Sequence, residues 1–180
     1  MFYQLLLCLS LLCSFSFPVH AQTDIGRVQV DPSPFSSLAE LVKKCDLIVI
    51  GRVDSTHRAY PTGRTLPQGK IVNYTQRLQV KKAVKGTASR LLTVVSTGVE
   101  PLPDASSPLN LQYPGPLAEG NYLLFLRKVS GSQLYSTAGL WQGIYPIYQG
   151  KTIALSNLGF TELNQVSQEE AIRKITAISR

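Results

Sequence analysis

Between Ser37 and Val53 the hydrophobic period shifts once, and the shift divides a helix from a strand. Leu38, Leu41, Val42 and Cys45 recur at i, i+3, i+4 and i+7, the spacing of one helical face. Ser37 and Glu40 stand at the separation of a capping box, and Lys43 and Lys44 fall in the last turn, where cations suit the helix dipole. After Asp46 the run Leu47-Ile48-Val49-Ile50 is short and rich in β-branched residues, which predicts a strand buried on both faces. Gly51 predicts a bend or a close backbone approach, and Arg52 and Asp54 return the strand to water.

The rest of the pattern is mostly that of strands. Gln22 to Pro34 is polar and reads as an extended lead-in, and Thr56 to Gly69, with Pro61, Gly63 and Pro67, reads as a loop. In Lys70 to Val84, Tyr74, Leu78, Val80 and Val84 share one parity, while Thr75, Arg77, Gln79 and Lys81 share the other, the alternation of a half-buried strand. Lys85-Gly86-Thr87 is a turn that leads into a buried strand over Arg90 to Thr97. Gly98 to Gly120 carries five prolines and is the longest irregular segment, a length that is often functional. Tyr122 to Leu126 is apolar on both parities and so central in a sheet. Ser130-Gly131-Ser132 leads into Leu134 to Thr137. Gln149-Gly150 joins Ile144–Tyr148 to Thr152–Leu155 as a two-residue hairpin. A second capped helix comes last, with Ser167 and Glu170 at its start and Ala171, Ile172, Ile175 and Ile178 as its apolar stripe.

Short strands separated by turns, with a helix at each end, predict a mainly β domain built as a small barrel. KKCDLIVIGRV, YTQRLQVKKAVKG, LLTVVSTG and AEGNYLLFL resemble, in that order, the strands of netrin-like domains. These are the barrels of tissue inhibitors of metalloproteinases and of complement C-terminal modules. Asp46 to Val53 is similar to their first strand, Lys85-Gly86 to the end of the second, and Glu119-Gly120-Asn121-Tyr122 to the opening of the fourth. Over about residues 37–150 the resemblance implies an OB-like five-stranded Greek-key barrel, here with a helix before its first strand and another at the C-terminus. Family members that inhibit metalloproteases chelate zinc through a cysteine at the mature N-terminus. This protein lacks that cysteine and the bracing disulfides, so the resemblance does not extend to inhibition.

Residues 1–21 read as a secretory signal. Leu5 to Leu12 is too short to span a bilayer, and Val19-His20-Ala21 is a small-residue cleavage site before Gln22. Leu12 stands before Cys13 where a lipidation motif needs a small residue. The expected product is a secreted or periplasmic protein with no transmembrane segment, a lead-in over 22–36 and one domain over 37–180. Cys45 is then the only cysteine, which excludes an internal disulfide. It reads as a buried thiol, and intermolecular pairing would require it exposed.

Charge is the most unevenly distributed property. Ser55 to Val99 contains no Asp or Glu but eight basic residues, Arg58, Arg64, Lys70, Arg77, Lys81, Lys82, Lys85 and Arg90, against +7 for the whole sequence. A basic barrel face with interleaved Tyr60 and Tyr74 is a candidate polyanion-binding surface, and OB-type barrels use strands 2 and 3 for oligonucleotides and oligosaccharides. Outside the cytoplasm the partners would be a cell-wall polymer, lipopolysaccharide, acidic polysaccharide, anionic lipid head groups or DNA. The bland alternative is a solvated strand face that deters edge pairing.

Catalytic chemistry finds less support. His57 is the only histidine after residue 21 and has no second histidine or cysteine near it in sequence for a metal. A hydrolase would need His57 as base, Asp46 or Asp54 as orienter and a serine, yet no nucleophile turn is present. Trp141, near Tyr135, Tyr145 and Tyr148, suits either a barrel-end plug or a sugar-stacking platform. Asn73-Tyr74-Thr75 is a glycosylation sequon placed mid-strand and so expected to be empty. The expectation is a non-enzymatic binding module without cofactor or metal. It would work through the basic face or, alternatively, as a protein-interaction module through the loop 98–120 that engages a secreted protein.

Overall fold

Helix α1, Leu38–Lys44, is separated from strand β1, Leu47–Leu66, by only Cys45 and Asp46, so helix and strand are held close from the outset. The computed structural model describes residues 23–155 and 157–179. The expected signal peptide, with Cys8, Cys13 and the cleavage site after Ala21, lies outside them. Ser37 Oγ accepts from the Glu40 N–H at 3.2 Å, as the capping box requires. The reciprocal bond is displaced by one residue: Glu40 Oε2 accepts from the Ser36 N–H at 2.9 Å and from its hydroxyl at 2.7 Å. Those bonds hold the Glu40 carboxyl below the usual carboxylate range.

Among the described residues seven strands form one sheet: β1 Leu47–Leu66, β2 Gly69–Lys85, β3 Leu91–Glu100, β4 Gly120–Lys128, β5 Leu134–Thr137, β6 Ile144–Tyr148 and β7 Lys151–Thr152. The order is β1-β2-β3-β5-β4-β6-β7, and β1 also pairs with β4, which closes β1, β2, β3, β5 and β4 into a ring. All neighbours in the ring are antiparallel except β3 and β5, which run parallel. A short helix, α2 (Leu109–Gln112), interrupts the long loop, and α3 (Gln168–Ser179) packs beside α1.

The ring explains why β1 and β4 are apolar on both parities. Leu47, Val49 and Val53 meet Tyr122, Leu124 and Leu126 inside the barrel, with Leu78, Leu92, Val94 and Ile144. Ile48 and Ile50 face outward with Leu123 and Phe125, where α1 and α3 cover them with Leu38, Leu41, Val42, Ala171 and Ile175. Cys45 belongs to this outer layer at 2% exposure, and burial pushes its thiol up to about 12. That is the buried reading, and it removes intermolecular pairing. At Gly51 a Cβ would lie 2.7 Å from the Gln79 carbonyl oxygen, the close approach expected there.

Several boundaries differ from the sequence reading. Thr56 to Leu66 is strand, not loop: β1 continues to pair with β2 up to a tight turn at Pro67-Gln68. Pro61 and Gly63 are tolerated because β1 pairs with β2 alone beyond Val53, and register shifts fall at Val53/His57 and Pro61/Thr65. β3 likewise runs on to Glu100, which takes Gly98 out of the irregular loop. The three strands therefore extend beyond the ring as an arm. In contrast, the strand after Gln149-Gly150 is only Lys151–Thr152, although both turn residues have positive φ, as a two-residue hairpin needs. The lead-in contains a 3₁₀ turn at Ile25–Arg27.

Candidate functional site

In the arm, β2 is covered on both faces by irregular segments, while β1 beyond Val53 stays open to solvent. From Ile71 to Gln76 the alternation of β2 disappears and every residue is buried. On one face the lead-in crosses β2: Asn73 Nδ2 donates to the carbonyls of Ile25 and Val28, both at 2.8 Å, and Thr97 Oγ1 donates to Asn73 Oδ1 at 2.8 Å. On the other face, Gln76 Nε2 donates to Leu117 O at 2.8 Å and Asp54 O at 2.9 Å, and its Oε1 accepts from Leu117 N at 2.7 Å. Farther along, Arg127 holds Asp31 at 2.7 Å. Gln142 accepts from Phe35 N at 2.7 Å and donates to Phe35 O at 3.1 Å. The Asp31 carboxyl sits below the usual range, chiefly through its bonds from Ser33 and then through Arg127.

These segments decide which of the eight basic residues share a site. Lys85 is committed to the end of α1: its Nζ donates to the carbonyls of Val42, Lys43 and Cys45 at 2.7, 3.1 and 2.6 Å, so the ammonium caps the C-terminus of that helix. Lys81 Nζ donates to Asn121 Oδ1 at 2.8 Å. Arg77 pairs with Asp54 at 3.1 Å but leaves 70% of its side chain exposed, so the pair is screened. Lys82 and Arg90 are exposed near the β2–β3 turn, Lys70 lies at the far end opposite Thr65 and Glu100, and Arg64 borders the lead-in and the long loop. Arg58 and Arg77 do converge. They line one cleft of about 510 Å³ with His57, Tyr60, Thr75 and Thr93, and Ile25 of the lead-in forms a wall.

His57 stacks edge-on against Tyr74, with ring centroids 5.3 Å apart, and its Nδ1 lies 3.4 Å from the Ser55 carbonyl. Neither candidate orienter is bonded to it. Asp46 accepts from the Lys128 N–H at 2.8 Å, and Asp54 is engaged by Arg77. Among the described residues no three His, Cys, Asp or Glu side chains gather to hold a metal. No helix there is long and apolar enough to cross a membrane. Trp141 packs against the barrel interior and donates its indole N–H to Asn110 O at 2.6 Å, so it closes the barrel and pins the long loop at once.

The sequence pattern singled out Asn73 only as the start of a sequon, and Gln76 not at all. For Gln76 there is a signal: it occupies the inward parity between Tyr74 and Leu78, where an amide implies a partner. For Asn73, on the outward parity, no local signal exists. No protein-family model matches this sequence, and no curated protein matches it.

Proposed function

We propose that this protein is a non-enzymatic binding module of the netrin-like, OB-barrel type, exported from the cytoplasm, that holds a polyanion against the arm of β1, β2 and β3. The ring order supports the fold reading: β5 lies between β3 and β4 in a closed ring of five strands, with a crossover that makes β3 and β5 parallel neighbours. The observation that carries the function is the cleft in which Arg58 and Arg77 meet beside the hydroxyls of Tyr60, Thr75 and Thr93, within an acid-free stretch of sequence. Guanidinium groups flanked by hydroxyl donors suit sulfate or phosphate oxygens spaced along a polymer. Lys70 and Arg64 extend the positive potential along the arm, Lys82 and Arg90 stand at the barrel's β2–β3 turn, and Lys81 and Lys85 serve the barrel.

The test is retention on immobilised heparin across a salt gradient. Arg58→Glu with Arg77→Gln is expected to elute at clearly lower salt than wild type. Lys151→Glu with Arg173→Gln, an equal charge change outside the acid-free stretch, is expected to elute close to wild type. Equal shifts in both variants would mean that net charge alone governs retention and would overturn the site.

A further inference from the structure

A second concave surface lies where the lead-in, the long loop and the Trp141 turn converge on β3. One cleft of about 550 Å³ is lined by Val30, Pro32, Leu111, Tyr113 and Leu140, with Arg64 at its border. A second, of about 280 Å³, shares Pro32, Leu111 and Leu140 and continues to Trp141 and Leu158. The shared residues join the two into one half-open groove, mainly apolar from Pro32 and Leu111 to Trp141 and Leu158, and polar where Gln29, Thr97 and Gln112 stand with Arg64. Its size falls within the range of about 300–1,000 Å³ usual for small-molecule sites.

Four observations bear on what such a groove would hold. Leu111 is 55% exposed in it, so apolar surface faces solvent rather than core. The indole N–H of Trp141 is satisfied internally by Asn110 O, so no indole donor is left for a polar ligand. Arg64 forms no ion pair with a carboxylate among the described residues. Leu140 also has a φ of 51° and Asn157 of 61°, and both border the groove. A left-handed leucine is strained, and such strain persists where surrounding structure enforces it, commonly at ligand sites.

We propose that this groove binds a fatty carboxylate. The acyl tail lies along Pro32, Leu111 and Leu140 toward Trp141, and the carboxylate pairs with the Arg64 guanidinium. A single cation at the end of an apolar channel matches one negative head and one tail. A polyanion would find a single cation, and a sugar would leave many of its hydroxyls against leucine and proline. This site is separate from the Arg58–Arg77 cleft and stands whether or not that cleft binds polyanions.

Trp141 is the single tryptophan of the sequence, so its fluorescence reports the groove directly. Titration with dodecanoate below its micellar concentration is expected to give a saturable change in Trp141 emission. Dodecyltrimethylammonium, with the same tail and the opposite head, is expected to bind at least about tenfold more weakly, as is dodecanoate to Arg64→Glu. Arg58→Glu is expected to bind dodecanoate as wild type does. Arg64 is exposed and outside the core, so its reversal leaves the fold intact, which the melting temperature checks. Unsaturable emission change, equal binding of the two head groups, or unaltered binding by Arg64→Glu would each overturn the proposal.

Discussion

The barrel and its arm share three strands, β1, β2 and β3, yet they are held together by different physics. Within the ring, β1 and β4 bury Leu, Ile, Val and Phe on both faces, and stability is a matter of apolar area and packing. In the arm, the same β1 carries Thr56, Arg58, Pro61 and Arg64, and the faces of β2 are closed by segments without regular structure. There the organising groups are two amides, Asn73 and Gln76, each pairing with backbone that has no strand partner. The difference shows how a barrel strand can be prolonged past its core: irregular segments supply the cover, and a buried amide satisfies their polar groups. It also places the candidate sites, because both clefts lie along the arm, walled by the lead-in and, in one case, the long loop.

The distinction fails if the two regions melt as one for every substitution. Phe125→Ala, in the layer between the barrel and its helices, is expected to cost about 3–5 kcal/mol and to lower the whole denaturation midpoint. Gln76→Ala and Asn73→Ala are expected to cost about 1–3 kcal/mol each and to act locally. In native-state hydrogen exchange, Gln76→Ala should speed exchange at Leu117 and its neighbours in the long loop. Asn73→Ala should expose the lead-in around Ile25 to Val28 to limited proteolysis. In both variants the β4 amides from Tyr122 to Leu126 should keep their protection. If that protection falls as much as the loop's, arm and barrel are one cooperative unit.

A smaller effect separates the regions by pH. Burial raises the Cys45 thiol from 9.0 to about 12 in the folded barrel. Its contribution is therefore fully present below pH 9 and is lost as pH rises toward the folded value, because the unfolded state releases that proton first. Between pH 9 and 10 the loss is about 1 kcal/mol. Cys45→Ala should flatten the stability–pH curve over that interval in denaturant titrations, while Asn73→Ala should leave its slope unchanged. A wild-type curve that is already flat there would mean the thiol is not shielded.

Much of the barrel was legible because local pattern and tertiary environment agree. The change of period at Asp46, the two-sided apolar runs of β1 and β4, the Gln149-Gly150 turn and the serine caps of α1 and α3 each reflect a preference that acts within a few residues. The extension of β1 over Thr56 to Leu66 was not legible. Prolines and glycines there signal a loop, and only the pairing offered by β2, with no neighbour on the other edge, makes a strand of them.

The candidate site divides in the same way. The acid-free stretch is visible as composition, but composition does not say which cations meet. Lys85 points into the carbonyl end of α1 from forty residues or more away in sequence, and Arg77 finds Asp54 across β1. Arg58 and Arg77 share a cleft because the bulge after Val53 and the lead-in at Ile25 shape its walls. The residue pattern thus determined the core, the caps and the total charge, since each depends on neighbours along the backbone. Which charges are spent on the scaffold, and which groove is left open beside them, was decided by contacts between segments distant in sequence, which only the closed barrel brings together.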